Sequence, residues 1–105
     1  MTVEPFFKQK PIEDRKYLDW VRTQPCIVTQ RVGMSEPAHL RLLGAGGTGM
    51  KPPDNLVLPL HFELHRRQST EGEMPVWLWC ANEYPDFLAR LLQWRAKSMY
   101  QMWKA

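Results

Sequence analysis

Apolar and polar positions change period several times along the chain, and each change marks an element. In residues 12–22, Tyr17, Leu18, Trp20 and Val21 supply one apolar side. Glu13 and Asp14 lie at the front of that stretch and Arg22 at its end, as the helix dipole prefers. This pattern predicts a helix, and residues 1–10 before it read as an irregular arm. Cys26-Ile27-Val28-Thr29 is short, partly β-branched and bounded by turn formers, which predicts a strand. A turn containing Gly33 follows, then a second strand from Glu36 to Leu42. Residues 43–53 hold four glycines and two adjacent prolines and read as loop. Asn55 to Leu58 forms a short apolar strand, and Pro59 suits the entry of a helix from Leu60 to Gln68.

Residues 69–73 end that helix. Val76 to Cys80 is apolar throughout and fits either a strand or a buried helical segment. Pro85 opens a last helix running to about Trp103, with Phe87, Leu88, Leu91, Leu92, Met99 and Met102 as its stripe. The fold class is therefore α+β. Two antiparallel strands and a helix span residues 26–68, and N- and C-terminal helices flank them. At 105 residues the chain is one small domain that can build a core without disulfides or metal.

Composition narrows the function. Two cysteines, Cys26 and Cys80, make neither a disulfide framework nor a cysteine-rich zinc site and read as reduced thiols. No apolar run reaches the ~18 to 20 residues of a membrane span, and the N-terminus does not read as a secretory signal. The expectation is a cytoplasmic protein without a membrane partner. A net charge of +3 favours a polyanionic partner.

Gly44-Ala45-Gly46-Gly47-Thr48-Gly49 spells a dinucleotide-binding pattern, but the chemistry of that motif needs a helix starting at the loop. Here Met50-Lys51-Pro52-Pro53 follows, and consecutive prolines forbid it. A phosphate-binding Walker loop fails as well, because Lys51 precedes proline rather than serine or threonine. All three histidines surround this loop. His61 and His65, four apart on the expected helix, would share one face and could hold one divalent metal. His39 lies on the strand before the loop.

The segment from Glu36 to His65 resembles the HNH endonucleases, whose site is a ββα-metal unit. It is most similar to the small prophage-encoded YbcO-like nucleases and the phage recombination-enhancement nucleases. The resemblance rests on Ala38-His39-Leu40-Arg41, on Gly47-Thr48-Gly49-Met50-Lys51-Pro52-Pro53-Asp54, and on His65 in the closing helix. It departs from those families in lacking zinc-knuckle cysteines: Cys26 stands alone, and His61 and Leu64 occupy the C-x-x-C positions. A structural four-cysteine zinc is therefore absent. Ala38 stands where many HNH enzymes carry a metal-binding residue.

The resemblance implies a metal-dependent DNA endonuclease that hydrolyses phosphodiesters in phage or prophage recombination. His39 would be the general base, and Asp54 or Asn55 would orient it, Asp54 alternatively ligating metal. His65 would hold one divalent ion, Mg2+ first, with Mn2+ or Zn2+ as alternatives. His61 is either a second ligand or a structural remnant. Arg41, Lys51, Arg66 and Arg67 would contact DNA phosphates, and recombination proteins are possible further partners. The alternatives are a catalytically degenerate DNA-binding or recombination accessory protein on the same fold, and a small structural domain.

Overall fold

The computed structural model describes residues 12–40 and 53–105. The elements run α1 (Arg15–Arg22), β1 (Ser35–His39), β2 (Val57–His61), α2 (Phe62–Glu71), α3 (Glu73–Glu83), α4 (Phe87–Trp94) and α5 (Ala96–Lys104). Among the described residues the architecture is α+β, with one antiparallel two-stranded sheet.

The register explains two prolines that oppose each other in the sheet. Pro37 pairs with Pro59, between Glu36↔Leu60 and Ala38↔Leu58. Alternate antiparallel pairs exchange no hydrogen bonds, and a residue without an N–H is tolerated there. Pro59 turns its carbonyl outward, where it accepts the N–H of Ile27 at 2.9 Å. Its neighbours on the same outward side are also occupied. Val57 O accepts the indole N–H of Trp94 at 3.0 Å, and the N–H of His61 donates to Cys26 Sγ at 3.2 Å. The expected helix start at Pro59 is thus corrected: the strand runs two residues beyond it, and α2 begins at Phe62.

The expected strand Cys26–Thr29 is a turn instead. The Cys26 sulfur draws the chain round on itself, accepting the N–H groups of Val28 and Thr29, both at 3.4 Å. Arg90, from α4, donates to the carbonyls of Ile27 and Val28. These are backbone groups that a strand partner would otherwise have satisfied.

All five residues of β2 are buried, because both faces of the sheet are covered. Ala38, Leu58 and Leu60 face a core with Leu64 of α2, Val76 and Cys80 of α3 and Phe87 of α4. Val57 faces the other way, against Tyr17 and Val21 of α1 and Tyr100 of α5. Tyr17 and Tyr100 meet edge-on at 4.8 Å between centroids. Asp14 caps α1 by accepting the N–H of Tyr17 at 3.1 Å, a contact worth roughly 1 kcal/mol in typical helices.

Gly72 separates α2 from α3 with φ +95°, which a residue with a side chain would hold only under strain. Val76 to Cys80 lies in helix α3, which settles its two sequence readings. The single expected C-terminal helix is corrected to two. Arg95, at φ 43°, breaks it between α4 and α5. The break turns α5 back so that Tyr100 reaches α1, where its hydroxyl donates to Asp14 Oδ2 at 3.0 Å.

Candidate functional site

His39 ends β1, and strand alternation puts its side chain on the face turned toward α1. Its Nε2 lies 2.9 Å from Asp54 Oδ1. The other oxygen of Asp54 accepts the backbone N–H of Asp14 at 2.7 Å. A carboxylate only accepts, so it fixes the imidazole proton on Nε2 and leaves the lone pair on Nδ1. The Asp54 side chain is 8% exposed and that of His39 27% exposed, so the pair joins a sheltered anchor to an accessible ring. Asn55, beside it, has a buried side-chain oxygen without a hydrogen-bond partner among the described residues.

His65 lies on α2, and its Nδ1 is 2.8 Å from Glu36 Oε1 on β1. The same reasoning puts the proton on Nδ1 and leaves the lone pair on Nε2. Metal-binding histidines have this arrangement, in which an acidic partner holds the ring and raises its basicity. Alternation places Glu36 and His39 on opposite faces of β1. The two histidines therefore hold separate carboxylates. What joins them is α2 itself: one turn after His65, the Gln68 amide donates to the carbonyl of His39 at 3.2 Å.

His61 is not on the helical face expected for it. It is the last residue of β2 and the N-cap of α2, and its Nδ1 accepts the N–H of Glu63 at 3.1 Å. With its own N–H on Cys26 Sγ, it ties helix, strand and turn together. Among the described residues, no three His, Cys, Asp or Glu side chains are placed to share one metal ion. An ion on His65 Nε2 would complete its shell with water and phosphate oxygens, as Mg2+ commonly does.

Arg66 is exposed on α2. Arg67 pairs with Glu71 through Nε and Nη2, at 2.8 and 3.3 Å. That pairing raises the pKa of Arg67 and lowers that of Glu71. Arg41, Lys51 and the glycine run 44–49 lie outside the described residues. Sequence reasoning missed Glu36 as the partner of His65, and Asp14 and Tyr100 behind Asp54. The only local signal for Glu36 was a charged residue opening a strand otherwise buried on that face.

On this α+β scaffold a buried acid holds one histidine, and a strand acid holds another on α2. Residues 4–75, more than half of the chain, match the family described as "Protein of unknown function (DUF968)", and the chain belongs to that family. It is also similar to the uncharacterized protein YdfU of Escherichia coli (strain K12). The two are 48% identical over 56 residues, which cover 48% of this chain and 15% of that protein. The chain thus spans a small part of the length of this relative. No solved structure matches it. Among the described residues, no helix is long and apolar enough to cross a membrane.

Proposed function

We propose that the chain is a metal-dependent DNA endonuclease of HNH type, acting in phage or prophage DNA processing. The observation that carries this reading is the His39–Asp54 pair, with its 2.9 Å contact and an Nδ1 that has no partner among the described residues. A general base needs a lone pair, a fixed orientation and access to water, and this ring has all three. His39 Nδ1 takes a proton from the attacking water. Asp54 holds the ring and stabilises the imidazolium that forms. Asn55 offers its unpaired oxygen to a donor in the same place.

His65 Nε2, set by Glu36, would hold the divalent ion, Mg2+ first. When bound, the ion supplies charge stabilisation at the phosphoryl oxygens. Arg66, with Arg41 and Lys51, would add phosphate contacts. The resemblance of the segment Glu36 to His65 to the HNH nucleases supports the same chemistry.

The deciding experiment is nicking of supercoiled and branched DNA across Mg2+, Mn2+ and Zn2+, comparing the chain with His39→Ala. Metal-dependent cleavage that drops roughly 10²- to 10⁴-fold in the variant is the expected result. Equal cleavage by both would sink His39 as the base. DNA binding without any cleavage would favour the second reading, an accessory DNA-binding protein on the same fold.

A further inference from the structure

Arg67 lies two residues from His65 on α2, which turns it to the opposite flank of the helix. On that flank a cleft of about 210 Å³ opens between α2, α3 and the turn after Cys26. Thr29, Arg31, His61, Arg67, Trp79 and Tyr84 line it. Three observations indicate what it takes.

The first is His61, which is only 7% exposed. Because its Nδ1 accepts the Glu63 N–H, the neutral ring carries its proton on Nε2. That N–H has no hydrogen-bond partner among the described residues, and the ring lines the cleft. The donor is therefore available to a ligand or water in the cleft.

The second is charge. Arg67 spends Nε and Nη2 on Glu71, which leaves Nη1 for another acceptor. Arg31 is exposed and has no acidic partner among the described residues. Glu63 is the one carboxylate in the lining, and it is exposed to solvent. With Glu71 already on Arg67, the lining offers Arg31, Arg67 Nη1 and His61 Nε2–H as donors against the carboxylate of Glu63.

The third is flatness. The Arg67 guanidinium lies over the Trp79 ring, 4.4 Å from its centroid, and Tyr84 stands edge-on to Trp79 at 6.2 Å. Aromatic rings and arginine planes are the surfaces on which unstacked bases rest.

We propose that this cleft binds one nucleotide unit of a single strand. Its phosphate is held by Arg31, Arg67 Nη1 and His61 Nε2–H, and its base lies against Tyr84 and the Arg67–Trp79 stack. The site is separate from His39 and His65 and does not need hydrolysis to operate. A free nucleotide offers the same chemistry as a strand, so the test distinguishes them.

The test titrates the ¹⁵N-labelled full chain, in chelator, with inorganic phosphate, adenosine monophosphate and a short oligothymidylate. The readouts are the His61 ring and Arg67 Nε signals. The oligothymidylate is expected to shift both signals, and Arg31→Ala to weaken it about tenfold, the worth of one charge-assisted contact. Trp79→Leu should weaken it several-fold, while binding of inorganic phosphate stays unchanged. Arg31 is exposed, so its variant keeps the fold and remains interpretable even if the Trp79 variant does not. Shifts with the mononucleotide alone would make a free nucleotide the occupant and overturn the strand. Phosphate binding as tightly as both nucleotide probes would overturn the base contact. Silence at His61 with every probe would overturn the site. Loss of nicking with these shifts intact would remove the nuclease reading and leave the cleft.

Discussion

Asp54 holds His39 through one oxygen and the N-terminus of α1 through the other, at 2.9 and 2.7 Å. Asp14, the residue it meets on α1, is itself held by Tyr100 from α5 at 3.0 Å. A ring at the end of a strand is thereby fixed by helices from both ends of the described chain. Asp54→Asn replaces one accepting oxygen by an amide donor. It should release the His39 proton from Nε2 and cut cleavage on the order of 10²-fold or more. The folded state should survive, because an amide can still accept from Asp14. Nicking rates and a thermal melt on the same preparation separate the two effects.

Glu36 and His65 are both accessible enough to be replaced without opening the core, with side chains 50% and 31% exposed. Glu36→Gln should lower Mn2+ affinity about 10- to 100-fold, the usual effect of losing an acidic partner behind a ligating histidine. His65→Ala should lower it further, and added metal should restore part of the cleavage. His61→Ala should leave metal affinity alone and lower stability by about 1 kcal/mol, as loss of a cap does. Calorimetric metal titration of the three variants checks this. Equal loss in His61→Ala would make it a ligand after all.

Burial pushes the Tyr17 phenol up to about 12 from 10.0, and the nearby Tyr100 adds to the rise. The folded chain then keeps a proton that the unfolded chain gives up. The stabilisation is whole below pH about 10 and drains away as pH rises toward about 12. Tyr17→Phe should flatten urea stability over that window. At neutral pH it should cost little, because the Tyr17 hydroxyl has no hydrogen-bond partner among the described residues.

Cys80 is wholly buried, and burial raises its thiol to about 11 from 9.0, against the opposing pull of Arg67. Alkylation needs the thiolate, so at pH 8 iodoacetamide should react roughly a hundredfold more slowly than with an ordinary thiol. Mass spectrometry in native buffer and in urea measures the ratio. Equal rates in the two would mean that α3 opens readily.

The hairpin and the helix after it were legible because their apolar runs are short and bounded by turn formers. Pro59 misled, since its missing N–H fits a helix start and an unpaired strand position equally well. Only the register tells them apart. Cys26 to Thr29 has strand-forming side chains, yet a sulfur acceptor at its start bends it, and residue propensity does not encode that. The break at Arg95 carries neither glycine nor proline. It follows from Tyr100 and Trp103 packing against Tyr17, a contact far away in sequence. His39 and His65 could be picked out by type and order. Asp54 could be named with them, though not told apart from Asn55, as a residue to orient His39; Glu36 could not, because it is set opposite His65 only by folding.

The outward side of β2 has a further consequence. A two-stranded sheet ordinarily offers a row of free backbone groups that a passing strand can extend, the usual route to aggregation and strand exchange. Here an indole, a turn amide and a thiol have taken every second position along that row, and proline removes the N–H between them. The sheet is closed to growth on that side by groups that are not strands. Trp94→Phe would reopen one acceptor and is the substitution most apt to turn a monodisperse preparation into one that slowly associates.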